Sequence, residues 1–132
     1  MTEFRYLQVM SEASDALLAA LGLDQAYLDT GNSVYTVETH IRHLAEAKLD
    51  EQISVSTQII SADAKRVRLW HSCVTDKGVT IATGEQMWLH VDMKAGRTTP
   101  FKTPLRKNIT AIAAAHAHLS LPEGLGRSIG GA

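Results

Sequence analysis

The sequence predicts an α+β domain in which a curved antiparallel sheet wraps one long helix and a second helix follows near the end of the chain. The chain opens with a long, largely apolar helical pattern, continues with four segments whose apolar residues alternate, and ends with an Ala-rich helical pattern. Because the links between the predicted strands are short, we expect a meander of four antiparallel strands.

The first predicted helix spans residues 2–21, and Gly22 supplies a residue suited to ending it. Its apolar residues recur at steps of three and four: Phe4, Leu7, Met10, Ala13, Leu17 and Leu21. A narrow polar stripe follows the same spacing: Arg5, Gln8, Glu12 and Asp15. A helix with so little polar surface is expected to be covered by the rest of its domain.

The strand and helix boundaries follow from periodicity and turn signals. We predict strands over 33–43, 52–62, 66–75 and 80–92, a connecting turn over 44–51, a loop over 94–104 and a helix over 105–118. Asp76-Lys77-Gly78 is a hairpin signal between the last two strands. The domain is therefore expected to cover residues 1–118, with 119–132 as a flexible, Gly-rich tail.

Composition excludes several classes of function. Thirteen basic and fourteen acidic residues give a formal net charge of -1, which favours neither nucleic acid nor an anionic membrane surface. The single Cys73 lies in a predicted strand, where a buried, inert thiol is expected. The start of the chain does not resemble a signal peptide, and no segment has the roughly 20 apolar residues of a membrane span. A cytoplasmic protein is expected.

Motifs of common catalytic sites are absent from the sequence. The histidines and Cys73 have no metal-ligand spacing and there is no HExxH, so no metal site is predicted. The absence of GxSxG disfavours a serine hydrolase, and the absence of GxGxxG and GxxxxGK disfavours dinucleotide and nucleoside triphosphate sites. No cofactor is expected.

Four segments carry a family resemblance over roughly Met1 to Phe101: RYLQVMSEA, VETHIRHLAEAKLDEQISVSTQI, the hairpin with Gly78, and WLHVDMKAGRTTPF. In their order and spacing they resemble hotdog-fold acyl-CoA thioesterases of the 4-hydroxybenzoyl-CoA thioesterase type. The helix start and the VETHIRHL run are most similar to thioesterases of carnitine breakdown, which are thought to act on betainyl-CoA. The resemblance implies a hotdog fold and hydrolysis of a small acyl-CoA, with CoA as part of the substrate.

The sequence departs from the family pattern at its start. In the family, a first strand with an Asp-x-x-Gly-His-Val/Met motif precedes the helix, and its Asp is the usual catalytic carboxylate. Met1 stands where the last residue of that motif is expected, so this strand and its Asp are absent from the printed sequence. We expect the native start to lie upstream; an in-frame stop codon before Met1, without the motif, contradicts this.

The resemblance also implies which residues form the site. Backbone N–H groups of Thr2, Glu3 and Phe4, at the positive end of the helix dipole, are expected to form the oxyanion hole, although an ordinary capped helix start fits the same residues. His43 matches a family position that usually carries an aromatic residue at the edge of the acyl pocket, and Glu46 lies near the mouth of the site. A structural histidine is the alternative for His43.

Further candidates follow from the chemistry of a betainyl group. A quaternary ammonium is bound by aromatic faces and a nearby carboxylate, and the aromatic candidates are Phe4, Tyr6, Tyr35, Trp70 and Trp88. Trp70 and Trp88 are predicted on the same face of the sheet, where they would also suit a subunit interface. The candidates for binding CoA phosphates are Arg66, Arg68 and Lys77.

Two further expectations concern alternatives and assembly. Glu12 and Asp15 are expected to be solvated rather than catalytic. Apolar residues on both faces of the sheet predict a homodimer, or a tetramer. The alternative function is a non-catalytic hotdog or cystatin-like module that binds a small ligand, which the absent Asp favours. A purely structural dimerisation domain has no positive support in the sequence.

Overall fold

In the computed structural model, which describes residues 3–48 and 51–127, one long helix packs on a five-stranded antiparallel sheet. The elements are α1 (Glu3–Leu21), α2 (Gln25–Asp29), β1 (Asn32–His43), β2 (Ile53–Ala62), β3 (Arg66–Thr75), β4 (Thr80–Asp92), β5 (Arg97–Thr98) and α3 (Thr103–His116). The predicted bounds of β3 and β4 are confirmed, β1 and β2 each begin one residue from the predicted position, and α3 begins and ends two residues earlier than predicted. The first helix ends at Leu21 as predicted, and Thr2, its predicted first residue, lies outside the described residues. The short β5, which pairs with the end of β4, was not predicted.

The strand order is β1-β4-β3-β2, and each pair of neighbours is antiparallel. The prediction of a simple meander is therefore wrong, because β1 pairs with β4 and lies at the opposite edge from β2. The predicted turn over 44–51 therefore does not join neighbouring strands, since β1 and β2 lie at opposite edges; residues 49 and 50 of this segment lie outside the described residues. The nine residues between β1 and β2 could span up to about 30 Å if fully extended, whereas two edge strands three strand spacings apart are only about 14 Å from each other.

α1 lies along the central strands and contributes to two apolar clusters. Near its start, Tyr6 and Met10 pack with Cys73, Ile81 and Ala82, and we call this the amino-end cluster. Near its end, Leu18 and Leu21 belong to the carboxyl-end cluster, whose strand and α3 members include Leu69, Trp88 and Ile109. The helix therefore runs in the same direction as β4.

The spacing of α1 matches the spacing of β4. Met10 lies against Gly84, and Ser14 is hydrogen-bonded to Gln86. Four helical residues rise about 6 Å, and two strand residues about 6.7 Å, so successive turns of the helix meet alternate residues of the strand. The successive pairs that share a cluster or a direct contact are Tyr6 with Ala82, Met10 with Gly84, Ser14 with Gln86, and Leu18 with Trp88.

The buried side of α1 differs from the predicted one at several positions. Leu7, which was predicted to be buried, is 44% exposed, whereas Tyr6, Ser14 and Leu18, which lie outside the predicted apolar face, are buried. The predicted polar stripe is confirmed, since all four of its residues are exposed: Arg5, Gln8, Glu12 and Asp15. The outward side also carries small apolar residues, namely Ala16, Ala19 and Ala20, so the sheet covers one side of the helix.

The carboxyl-terminal part of the chain covers one sheet edge and one sheet face. α3 packs against β2, and the backbone N–H of Ile59 donates to His116 Nδ1 at 2.9 Å. Residues 119–127 lie on the face away from α1, which we call the outer face, where Gly126 N–H donates to Glu85 Oε1 at 2.6 Å. Residues 128–132 lie outside the described residues, and the flexibility of the tail stays a prediction. None of the helices in the described ranges is long and apolar enough to cross a bilayer.

Candidate active site

The start of α1 provides the electrostatic feature of the candidate site. Glu3 and Phe4 are its first helical residues, and the first amides of any helix lack an intrahelical acceptor. These amides also lie at the positive end of the helix dipole, where they favour a negatively charged oxygen. Thr2, the third predicted oxyanion-hole residue, lies outside the described residues, as do the side chains of Glu3 and Phe4.

Two predicted substrate residues meet one turn into α1. The Tyr6 ring contacts the His43 ring edge to face, with centroids 5.0 Å apart and an interplanar angle of 76°. This is a favourable arrangement for two aromatic rings. Tyr6 is buried in the amino-end cluster, whereas His43, the last residue of β1, is exposed. The two residues thus form an aromatic surface beside the start of α1.

The segment that follows β1 is held at the same end of the sheet. The backbone N–H groups of Leu44 and Ala45 donate to Ile81 O at 2.9 and 3.2 Å, and Ala47 packs against the amino-end cluster. Glu46 lies between these two fixed points and is exposed. Lys77, in the turn between β3 and β4, also lies at this end of the sheet. The structure therefore places a carboxylate and a cation at the end where α1 begins.

The two tryptophans lie elsewhere. Trp88 is buried in the carboxyl-end cluster, and Trp70 lies on the outer face, where its Nε1–H donates to Ser72 Oγ at 3.1 Å. The prediction that both tryptophans share one face is wrong. The register pairs Trp88 with Val67 and Trp70 with Glu85, and Val67 and Trp70 are three residues apart on β3, so they lie on opposite faces. Directly paired residues share a face, so the two indoles point to opposite sides of the sheet. Neither tryptophan belongs to the aromatic surface at the start of α1.

The predicted phosphate-binding cations are dispersed. Arg66 forms an exposed ion pair with Asp63 at 2.9 Å, in the turn between β2 and β3 at the far end of the sheet. Arg68 forms an ion pair with Glu85 at 2.7 Å on the outer face. Of the three candidates, Lys77 is the one at the same end as the start of α1.

A buried polar cluster under α1 was not predicted as a site. It consists of Ser14, Thr57, His71 and Gln86, and we call it the Ser14 cluster. Burial lowers the pKa of His71 to about 4, so its imidazole is neutral at neutral pH. The available sequence signal was a histidine at an inward-facing position of β3, between Leu69 and Cys73.

Cys73 is fully buried, as predicted, and burial raises its pKa to about 11. Its thiol is therefore protonated at neutral pH and is a poor nucleophile. Within residues 3–48 and 51–127, no group of three His, Cys, Asp or Glu side chains is arranged to hold a metal ion.

Comparison with known proteins identifies the family. Residues 1–109 match the family model described as the thioesterase-like superfamily. The chain belongs to that superfamily. This thioesterase-like protein is 40% identical over 127 residues to the betainyl-CoA thioesterase of Pseudomonas aeruginosa, an alignment that covers 95% of this chain and 80% of that protein. It is 47% identical over 133 residues to the L-carnitine dehydrogenase/betainyl-CoA thioesterase of Rhizobium meliloti, covering 98% of this chain but 26% of the relative.

Solved structures agree on the fold. A Staphylococcus aureus protein in complex with CoA superposes with a TM-score of 0.91 at 22% identity, over 97% of this chain and 82% of that one. DHNA-CoA thioesterase from Staphylococcus aureus superposes with a TM-score of 0.78 at 12% identity, over 92% of this chain and 84% of that one. The thioesterase-like protein therefore has the predicted hotdog fold.

Proposed function

We propose that this thioesterase-like protein hydrolyses a small acyl-CoA thioester, and that betainyl-CoA is its substrate. The observation that carries the proposal is the start of α1, whose first amides lie at the end of the sheet where the exposed His43 ring packs against the buried Tyr6 ring. Attack of water on the thioester carbonyl places negative charge on its oxygen, which these amides would stabilise. The C–S bond then breaks to release betaine and CoA thiol. The names of the two relatives support this substrate.

The betainyl group sets the second requirement. Its trimethylammonium ion has no N–H to donate, so it must be recognised by aromatic faces and by opposite charge. The Tyr6 and His43 rings supply the aromatic surface, and the exposed Glu46 supplies a carboxylate at the same end of the sheet. We assign Lys77 to the CoA phosphates because it is at this end.

We further propose a homodimer that pairs two β1 edges, or a tetramer of two such dimers. β1 is a 12-residue edge strand, and its outer edge has no strand partner among the residues that the structure describes. It exposes Tyr35 and Val37 at 49% and 54%. The opposite edge strand, β2, is less available for pairing with a second subunit. α3 packs on β2, and the Ile59 N–H of β2 donates to His116 of α3. A cytoplasmic location suits the single, unpaired Cys73.

The decisive experiment compares betainyl-CoA with tert-butylacetyl-CoA, which has the same shape without the charge. CoA release is followed with a thiol reagent, to which the buried Cys73 contributes no background. We expect kcat/KM to be about tenfold higher for betainyl-CoA. Equal values contradict the proposed substrate. If neither this chain nor its in-frame upstream extension releases CoA from either thioester, the hydrolase proposal fails and the binding module is favoured.

A pair of matched variants tests the role of Glu46. Glu46→Gln removes a charge at the proposed cation site, so KM for betainyl-CoA should rise severalfold, with no change for tert-butylacetyl-CoA. Glu12→Gln makes the same chemical change on the exposed side of α1 and should alter neither value. Equal effects of Glu46→Gln on both substrates show that Glu46 does not contact the cation.

A further inference from the structure

The Ser14 cluster lies between the two apolar clusters, at the middle of α1. Its four members come from four different elements: Ser14 from α1, Thr57 from β2, His71 from β3 and Gln86 from β4. Ser14, His71 and Gln86 are each at most 5% exposed. Apolar side chains at these positions would fill the same space, and no buried polar atom would then need a hydrogen-bond partner. Burial alone therefore does not explain why these positions are polar.

The hydrogen bonds of the cluster have one consistent proton order. Ser14 Oγ–H donates to Gln86 Oε1 at 2.9 Å, which leaves its oxygen free to accept from His71 Nε2–H, also at 2.9 Å. His71 Nδ1 is then unprotonated and accepts from Thr57 Oγ–H at 2.7 Å. The chain of bonds thus runs from β2 through β3 to α1 and on to β4. It requires a neutral imidazole, which burial provides.

These bonds constrain α1 in a way that its apolar contacts do not. Apolar packing is non-directional, so it tolerates a small shift of the helix along the sheet. Hydrogen bonds weaken steeply with distance and angle, and a buried partner left without a bond is costly. A shift of α1 along β4 would break the bonds of Ser14 to both Gln86 and His71 at once.

We propose that the Ser14 cluster fixes the position of α1 along β4 and so places the amides of Glu3 and Phe4 at the thioester carbonyl. Ser14, His71 and Gln86 are then positioning residues, a role that rests on the hydrolysis proposed above. Ser14 is eleven residues from Glu3, about 16 Å along a helix. Because a continuous helix is rigid over this length, a displacement at Ser14 moves its first turn as well.

The first test is the kinetics of Ser14→Ala. Misplaced amides lose interaction with the oxyanion more than with the bound substrate, so kcat should fall about 10- to 100-fold while KM changes less than about twofold. Ile109→Val is the matched control, since it removes one methyl group from the carboxyl-end cluster without touching the Ser14 cluster. It should lower Tm and leave kcat near that of the unmodified protein.

The second test does not depend on activity. Backbone amide chemical shifts of Arg5 and Tyr6, measured by NMR, should change in Ser14→Ala but not in Ile109→Val. Unchanged shifts in Ser14→Ala, or a kcat that follows Tm equally in both variants, overturn the positioning role. If the unmodified protein hydrolyses no thioester, the hydrolase proposal fails, while the amide shifts still decide whether Ser14 positions the start of α1.

Discussion

Met10 packs directly against the backbone of Gly84, where a Cβ atom would overlap the Met10 sulfur. Met10 is fully buried, so its side chain has little room to move aside. Gly84→Ala should therefore destabilise the fold by about 1–3 kcal/mol, the usual cost of overfilling a packed core. Urea unfolding measures this cost, and a change below about 0.5 kcal/mol would show that α1 does not approach β4 this closely.

A double-mutant cycle tests the contact directly. Met10→Ala removes the atoms that the new methyl group would meet, so Gly84→Ala should cost less in that background. Leu21→Ala lies in the carboxyl-end cluster and should be additive with Gly84→Ala. Coupling of equal size in both cycles would indicate a general loss of packing rather than a specific contact.

The sequence predicted the individual strands but not the order in which they pair. Alternation along β3 and β4, with the turn signal at Gly78, predicted both strands because these signals are local. The pairing of β1 with β4 was not predicted, since strand order depends on contacts between distant residues. Similarly, hydropathy predicted the wrong exposure for Ser14 and Leu7. Ser14 is buried because it has hydrogen-bond partners on the sheet.

The candidate site was predicted by resemblance more than by pattern. The approach of Tyr6 and His43 joins residues of α1 and β1, and no periodicity within either element reports it. The face predicted for Trp88 was wrong because each of the two faces of β4 contains both polar and apolar residues. Alternation along β4 alone therefore does not show which face is buried. The register partner of Trp88, Val67, resolves the ambiguity.

Stability should depend on pH through two buried histidines. Burial lowers the pKa of His71 from 6.5 to about 4 and also lowers that of His90. The unfolded chain then binds more protons between pH 6.5 and 4, so the stabilisation is complete above 6.5 and is lost as the pH falls. For His71 alone this amounts to about 3 kcal/mol. Urea unfolding at several pH values across this window measures the loss.

His71→Gln identifies the contribution of His71. The variant should be less stable at pH 7 but should lose less stability on acidification than the unmodified protein. Ile109→Val lowers stability without removing an ionisable group, so its pH dependence should run parallel to that of the unmodified protein. An unchanged slope in His71→Gln would mean that His71 is not held neutral by the fold.

The two arginine ion pairs should differ in their contribution to stability. Arg66 and Asp63 are 61% and 48% exposed, whereas Arg68 and Glu85 are 33% and 15% exposed. Arg66→Ala should therefore cost at most about 1 kcal/mol, because water screens an exposed pair. Arg68→Ala leaves the less exposed Glu85 carboxylate without its partner and should cost about 1–3 kcal/mol. Thermal unfolding of both variants at equal salt gives the comparison, and equal costs would contradict it.

The proposed dimer predicts that a charge on the β1 edge produces monomers. Val37 lies where the pairing of β1 with β4 shifts register, and its side chain is 54% exposed. Val37→Lys would place like charges opposite each other in two paired β1 edges, which opposes strand pairing. Light scattering after gel filtration should show half the mass of the unmodified protein. Val79→Lys is the control, because Val79 is similarly exposed at 49% but lies in the turn just before β4, away from the β1 edge. His43, a proposed substrate residue, is the last residue of β1, so separating the β1 edges should also lower activity. A dimer that persists in Val37→Lys would place the interface elsewhere.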